Sequence, residues 1–370
     1  MKPSNSSAAL TALCELKLHA EVLVPAFLEA LHSLVPSCRN LFDWTDEQGR
    51  LVRYFIEGEI DADLAQHYFD EFHNRREVEA MPAFASLQRQ PPGVRSADEL
   101  DHPGFFGSAL YNEIWRPQGF HTRLEAVVRG RDGQLIGSLV LYRGPQDPRF
   151  TRDDERRLAA VLPALAAGLQ HGGQAVADKR HVASTEPAQT LLLTLQGQVL
   201  HASPGAHRLL LMAEGGASRE SLSKPLDMLA GWLLKVLLAR LREQARCLPA
   251  QGGAPSPSIT HETPAGQFVA SGCLLRALNP GHEPVVQITL QRLEPHAVAL
   301  ERALRALPLT AGQMAVCREL VQGRSHADIG RHLGVAPATV VDHVRKVYQA
   351  LDVRSALGLR AVLERHLGRA

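Results

Sequence analysis

The side chains best suited to bind a polyanion stand together near the C-terminal end of the chain. Arg345 and Lys346 are adjacent, and Asp342 precedes Arg345 by three residues, so a helix would bring all three to one side. Cations at this spacing neutralise phosphates, whereas a carboxylate among them either orients a guanidinium or accepts a hydrogen bond from a cytosine amino group. From Leu309 onward nine basic residues face five acidic ones, although the whole chain has a net charge of only +1. We therefore expect affinity for nucleic acid to reside in this tail.

Local sequence signals predict three short helices that position these side chains. Thr310 and Gln313 form the pattern of a capping box at the start of the first helix. Ser325 caps the second helix, Gly334 supplies the left-handed residue that ends it, and Pro337 opens the third. Apolar residues share one face of the third helix, so its other positions must point away from the core. The residues predicted to face outward are Ala338, Asp342, Arg345, Lys346 and Gln349. This arrangement is the sequence form of a helix-turn-helix.

A series of short motifs follows in a specific order through the same tail. They are Leu309-Thr310, Gly323-x-Ser325, Ile329-Gly330, Leu333-Gly334-Val335, Thr339-Val340, His343 and Leu351-Asp352-Val353. This order resembles the C-terminal four-helix DNA-binding domain of LuxR-type (GerE-like) transcription regulators. The chain departs from the usual pattern at Gly312 and Gln313, where Arg-Glu is common, and at Ala336, which replaces the usual capping serine.

The resemblance implies a double-stranded DNA interface, because in that family the third helix enters the major groove. The DNA-binding residues that we predict are Ser325, Thr339, Val341, Asp342, His343, Arg345 and Lys346. By position Val341, Asp342 and Arg345 are expected near bases, and the other third-helix residues nearer phosphates or the domain core. The fourth helix, capped by Ser355, is the family's usual contact between DNA-bound protomers and implies a homodimer. RNA polymerase is a further partner that a transcription regulator implies.

Each of these residues also has a structural interpretation. The Thr339-Val340 pair can serve capping and core packing, and His343 can stand at the boundary of the core. Arg345 and Lys346 can form a solvated helix face. A helix-turn-helix can also bind another protein, which leaves a protein-interaction module as an alternative.

The sequence before the tail predicts an α/β region. We predict a long helix over residues 6–34 and a hairpin of strands over residues 123–129 and 135–142, joined by an Asp-Gly turn. Phe150-Thr151-Arg152-Asp153-Asp154-Glu155 then begins a helix. This succession resembles the end of a GAF-type sensor domain. Because GAF-like domains bind small molecules, the resemblance implies an effector, whose identity the sequence leaves open.

A second α/β segment follows, in which residues 191–195 and 199–206, joined by the turn Gln196-Gly197-Gln198, resemble the opening hairpin and first helix of a PAS-like domain. Residues 268–278 and 285–290 are predicted to form a later antiparallel pair of strands that fits the same resemblance. The predicted domains are 1–172 GAF-like sensory domain, 173–187 linker, 188–294 PAS-like domain, 295–308 linker helix and 309–370 LuxR-type helix-turn-helix domain. The linker helix either docks on the preceding domain or pairs across a dimer. The predicted fold class is therefore multidomain, an α/β sensory region followed by an all-α four-helix domain.

Composition and missing motifs narrow the function. The chain is 45% apolar and 21% charged, as in ordinary globular proteins. Its five cysteines are scattered without a C-x-x-C pair, so we expect no zinc site, disulfide framework or cofactor. Neither a signal peptide nor an apolar run of membrane-spanning length is evident, which predicts a cytoplasmic protein without a membrane partner.

The sequence also lacks the motifs of phosphate-binding loops, serine hydrolases and zinc proteases, so we expect no enzymatic activity. The competing hypothesis is a signalling enzyme or ligand-binding module whose helix-turn-helix serves localisation or protein interaction.

Overall fold

Two sheet-containing regions precede a helical region in the chain. The computed structural model describes residues 3–99, 101–173, 180–247, 256–279 and 283–367. The predicted order of an α/β region followed by an all-α region is confirmed. Among the described residues no helix combines the length and the apolar character needed to cross a membrane.

The first region is a five-stranded antiparallel sheet with helical segments on both faces. Its helices are α1 (Pro3–Cys14), α2 (Ala20–Leu31), α3 (Ala62–His67), α4 (Pro103–Phe106) and α5 (Arg152–His171), and its strands are β1 (Arg39–Thr45), β2 (Leu51–Ile56), β3 (Gly93–Arg95), β4 (Thr122–Arg129) and β5 (Leu135–Arg143). The strand order is β2-β1-β5-β4-β3, so the predicted hairpin β4–β5 lies inside the sheet. Helices α1, α2 and α5 pack together over the buried side chains of Phe42, Leu124 and Leu139.

The prediction of one long helix over residues 6–34 is wrong, because the chain forms two helices there. Lys17, in the break between α1 and α2, has a left-handed backbone with a φ of +54°. The break allows both helices to pack against α5, where an added Cβ at Gly168 would lie 2.8 Å from Leu23 and 3.1 Å from the carbonyl oxygen of Cys14. Neither proline nor glycine marks the break, so apolar periodicity continues through it.

The second region is another antiparallel sheet. Its elements are β6 (His181–Ala183), β7 (Gln189–Leu193), β8 (Val199–Ala202), α6 (Ala206–Ala213), α7 (Arg219–Leu222), α8 (Leu226–Leu229), α9 (Gly231–Cys247), β9 (Ser258–Thr263), β10 (Gly266–Leu275) and β11 (Val285–Pro295). The order is β8-β7-β11-β10-β9, and β6, which falls within the predicted linker, pairs with β11. With β6 set aside, both sheets place their strands in the spatial order second, first, fifth, fourth, third. The two predicted strand pairs of this region are confirmed.

The C-terminal region consists of α10 (His296–Ala306), α11 (Ala311–Val321), α12 (His326–Leu333), α13 (Pro337–Ala350) and α14 (Ala356–Leu367). Leu300 and Leu304 of α10 belong to the same apolar core as Ile329, Val340 and Leu359. The predicted linker helix therefore packs on the helix-turn-helix, and it also contacts α1 and β11. This core is separate from the one that unites the two sheet regions.

Candidate nucleic-acid interface and ligand cavity

Local capping of the two helices that precede α13 helps to position it, as the sequence predicted. Thr310 and Gln313 form a reciprocal capping box on α11, and the Ser325 hydroxyl accepts from the backbone N–H of Asp328 on α12. Gly334 ends α12 in the left-handed conformation, with a φ of +66°. The apolar face of α13 is buried through Val340, Val344 and Val347. These predictions are confirmed, and they leave the opposite face of α13 free to meet another molecule.

The exposed face of α13 carries one carboxylate between two cations. Arg345 Nη2 lies 2.8 Å from Asp342 Oδ1, and Lys346 Nζ lies 2.6 Å from Asp342 Oδ2. These hydrogen bonds, first that of Lys346 and then that of Arg345, lower the pKa of Asp342 to about 2. Asp342 is therefore ionised at neutral pH and holds both cations on the helix surface. Val341 beside it is 51% exposed, so its methyl groups are accessible on the same surface.

Two further predicted contact residues are exposed near the start of their helices. Thr339 lies in the first turn of α13, and the hydroxyl of Ser325 donates to Asp328 Oδ2 at 2.7 Å. The Ser325 side chain is thus already engaged in its cap, while its exposed position still allows contact with a phosphate. The DNA contacts of both residues remain predictions.

His343 is half-buried and turns toward α11. An added Cβ at Gly312 would lie 3.3 Å from two atoms of the His343 ring, so the glycine makes room for the imidazole. His343 Nδ1 is buried and has no hydrogen-bond partner among the described residues. This packing favours the structural interpretation of His343, and it gives a physical reason for a small residue at position 312.

The first region contains a cavity of about 150 Å³, whose lining residues we did not predict from the sequence. Strands β1, β4 and β5 form its floor, and the segments between β2 and β4 cover it, including the π-helical turns Tyr68–Phe72 and Leu110–Trp115. Four ionisable side chains of the floor face the cavity, namely Arg39, Asp43, Arg123 and Glu125. Arg39 and Asp43 lie on β1 and Arg123 and Glu125 lie on β4, and the register of both strands with β5 brings the two pairs together.

Asp43 has the most perturbed chemistry of this group. Burial raises the pKa of its carboxyl group to about 7, although a hydrogen bond from the Ser138 hydroxyl to Oδ2, at 3.1 Å, acts in the opposite direction. Near neutral pH this carboxyl is therefore partly protonated, a state typical of acids that exchange hydrogen bonds with a bound molecule. No cluster of three His, Cys, Asp or Glu side chains able to hold a metal ion occurs in the part of the chain that the structure describes.

Residues 307–361 match the family model described as bacterial regulatory proteins, luxR family (GerE). The tail of the chain is therefore a LuxR-family helix-turn-helix domain, as the resemblance implied, and the match supports a DNA-binding regulator. No curated protein matches the chain.

Three solved structures illustrate the distant likenesses of the chain. A Vibrio cholerae VqmA dimer without target DNA, presented with LuxR-type receptors, is 18% identical, with 50% of this chain and 85% of that chain covered and a TM-score of 0.18. A VqmA–ligand–DNA complex is 17% identical, with coverages of 50% and 84% and a TM-score of 0.22. The Escherichia coli DhaR(N)–DhaL complex is 14% identical, with coverages of 77% and 86% and a TM-score of 0.24. At TM-scores this low, none of them supports a conclusion about this chain.

Proposed function

We propose that the chain is a sequence-specific transcription regulator that binds double-stranded DNA through α13 and responds to a small molecule held in the first region. The observation that carries this proposal is the exposed face of Val341, Arg345 and Lys346 within a LuxR-family domain. We further propose that it acts as a cytoplasmic homodimer, recruits or contacts RNA polymerase, and has no enzymatic activity.

The proposed sensory role is supported by two architectural features. Both sheet regions have the same strand order, and the first encloses a cavity lined by polar and aromatic side chains. We propose that residues 1–172 are a GAF-like sensory domain and residues 188–294 a PAS-like domain, joined by residues 173–187. Residues 295–308 then form the helix that connects them to the DNA-binding domain.

Contacts between the first region and the DNA-binding domain offer a route by which a signal could travel. Asn5 on α1 donates through Nδ2 to the carbonyl oxygen of Leu309 and accepts through Oδ1 from the N–H of Ala311, both at 3.1 Å. Arg302 on α10 bonds Glu29 on α2, with Nε 2.8 Å from Oε1, and also bonds Glu294 on β11. We call Glu29, Glu294 and Arg302 the clasp.

The test of DNA binding uses residues 296–370 alone, because the separate apolar core of the C-terminal region lies within this segment. We expect the fragment to bind duplex DNA with an affinity that falls steeply as salt concentration rises, since each neutralised phosphate contributes about −0.9 to the slope of log K against log salt. Titrations at several salt concentrations measure this slope. A slope near zero would support a protein-interaction module instead.

The competing proposal is a signalling enzyme in which the two sheet regions do chemistry and the helix-turn-helix serves localisation. The observation that favours it is the perturbed carboxyl of Asp43 inside a cavity, since such acids also occur at catalytic sites. A turnover screen with residues 1–295 separates the two proposals. Robust catalysis that is lost in Asp43→Asn would support the signalling enzyme and would contradict the proposal of a regulator without enzymatic activity.

A further inference from the structure

The side chains of the cavity floor form rows across the sheet, because strand register places residues of β1, β5 and β4 side by side. In the first row Arg39 and Arg123 flank Tyr142, because both pair with it across the sheet. In another row Asp43 has two register partners, Ser138 on β5 and Tyr54 on β2. Tyr142 and Ser138 are four residues apart on β5, so the two rows are about 14 Å apart along the backbone at ~3.4 Å per residue.

The row between these two is apolar at its centre. Leu41 and Val140 are register partners there, and Ile56 pairs with Leu41 on the outer strand. All three line the cavity, as do Trp115 and Phe120. Glu125 ends this row on β4, as the register partner of Val140. A bound molecule therefore meets Arg39 and Arg123 at one end and Asp43 at the other, with an apolar centre bordered by Glu125 between them.

The cationic end has more positive charge than its protein partners balance. Glu125 is shared, since Oε2 lies 2.9 Å from Arg95 Nη1 and 3.2 Å from Arg123 Nη2. Arg95 has a second contact at 3.5 Å with the exposed Glu99. Arg123 itself is only 6% exposed, and its Nε has no hydrogen-bond partner among the described residues.

Arg39 adds a further uncompensated cation to this end. Its guanidinium donates to the backbone carbonyl oxygens of Glu57 and Glu59, at 2.6 and 2.5 Å, and forms no ion pair with a carboxylate of the described residues. Arg39 is half-buried without an ion pair, and Arg123 is buried with its Nε unpaired, so an anion at this end of the cavity would accept charge-assisted hydrogen bonds from both. The flat guanidinium groups of Arg39 and Arg123 match the two oxygens of a carboxylate.

The size of the cavity limits the rest of the ligand. A volume of about 150 Å³ is the space in which an engineered apolar protein cavity holds one benzene molecule. A single ring with short substituents therefore fills it, and a fused ring system or a long acyl chain does not fit without movement of the covering segments.

We propose that the cavity binds a monocyclic aromatic carboxylate whose carboxylate meets Arg123 and Arg39 and whose opposite substituent donates a hydrogen bond to Asp43. The inference rests on the proposed function in naming this ligand as the effector, while the binding chemistry stands independently of DNA. The ring lies on Leu41 and Val140, and the carboxylate completes the hydrogen bonding of Arg123 Nε.

The test measures binding of three single-ring aromatic probes to the full-length protein by calorimetry. The probes are 4-aminobenzoate, which carries both groups, benzoate, which lacks the donor, and 4-methylaniline, which lacks the carboxylate. We expect 4-aminobenzoate to bind most tightly, at least tenfold more tightly than 4-methylaniline. Equal or tighter binding of 4-methylaniline, or no binding of either carboxylate at millimolar concentration, would overturn the inference without the use of any variant.

Two variants then test which residue binds each end of the ligand. Each variant should retain the binding of one probe, which shows that it is folded. Arg123→Met should weaken both carboxylates at least tenfold and leave 4-methylaniline within about twofold. Asp43→Val should weaken 4-aminobenzoate and leave benzoate unchanged. Retained affinity of 4-aminobenzoate in Arg123→Met would contradict the assignment of the cationic end.

Failure of this inference is distinguishable from failure of the proposed function. DNA titration on the same preparation decides between them, because DNA binding without aromatic-acid binding removes only the ligand class. Aromatic-acid binding by a protein that does not bind DNA would instead contradict the proposed regulatory function and support the proposed ligand class.

Discussion

At the scale of single residues, the exposed face of α13 combines two cations that attract DNA phosphates with one carboxylate that repels them. Asp342 bonds both Arg345 and Lys346 in the free protein, although all three side chains are exposed and such surface ion pairs are weak. A carboxylate near phosphates weakens attraction, yet it can orient the guanidinium or accept from a cytosine amino group. We therefore expect Asp342 to lower the overall affinity for DNA and to increase the preference for one base pair.

Substitutions on this face should separate base readout from general attraction. We expect Arg345→Ala to weaken specific binding to DNA more than non-specific binding. We expect Asp342→Ala to relax the preference at one base pair by roughly 1 to 3 kcal/mol.

Lys346→Ala should weaken specific and non-specific binding equally and reduce the salt slope by about one. Titration of each variant against a randomised half-site library measures these effects.

The matched control for Asp342→Ala is Glu364→Ala, which removes an exposed acid from α14 and changes the net charge equally. If both changes raise affinity for all sequences alike, Asp342 neither reads nor orients. An unchanged base preference in Arg345→Ala would show that α13 does not enter the groove as assigned.

At the scale of elements, α13 begins without the side-chain cap that its neighbours have. Ala336 stands at the N-cap in an extended conformation and makes no side-chain hydrogen bond, whereas Ser325 caps α12. Pro337 in the first turn lacks one of the N–H groups that a cap would otherwise satisfy. The remaining first-turn N–H groups of this exposed helix end still depend on solvent.

We expect Ala336→Ser to raise the free energy of unfolding of residues 296–370 by about 1 kcal/mol, because the serine hydroxyl can accept from a first-turn N–H. Urea unfolding of the fragment measures this change. Ala338→Ser is the control, since serine inside an exposed helix turn has a lower helix propensity and should be neutral or destabilising. Equal effects of the two substitutions would argue against a capping mechanism.

At the scale of the whole molecule, the clasp and Asn5 join the first region to the DNA-binding domain. Glu294 is 2% exposed, so loss of Arg302 would leave a buried carboxylate unpaired and destabilise the fold. Glu29 is the accessible member of the clasp, with its side chain 39% exposed, and its loss should cost little stability.

We expect Asn5→Ala combined with Glu29→Gln to bring the DNA affinity of the full-length protein toward that of isolated residues 296–370, because both changes remove contacts that restrain the domain. Titration of the full-length protein, the fragment and the double variant measures the effect. Glu47→Gln, at an exposed turn of the first region, is the control. If the wild-type full-length protein and the fragment already bind equally, the docked arrangement does not restrain DNA binding.

The amino-acid sequence by itself determined the helical tail and most of its proposed interface. Capping by Thr310 and Ser325, the left-handed Gly334 and the buried spacing of Val340 and Val344 are local signals, because they act within one or two helical turns. The hairpin β4–β5 and the pairs β7–β8 and β10–β11 were also predicted, since alternation and turn residues operate between neighbours in the chain, whereas β3, β6 and β9 were not.

Only the tertiary structure decided which distant residues meet. Arg39, Asp43 and Arg123 face one cavity because register aligns β1, β5 and β4, and strand alternation alone does not set that register. The break at Lys17 follows from packing against α5, and the contact of Asn5 with Ala311 joins residues more than three hundred positions apart. The physical reason is the same in each case: local sequence signals act between near neighbours, whereas a cavity, a close helix contact or a docked domain depends on the packing of the whole chain.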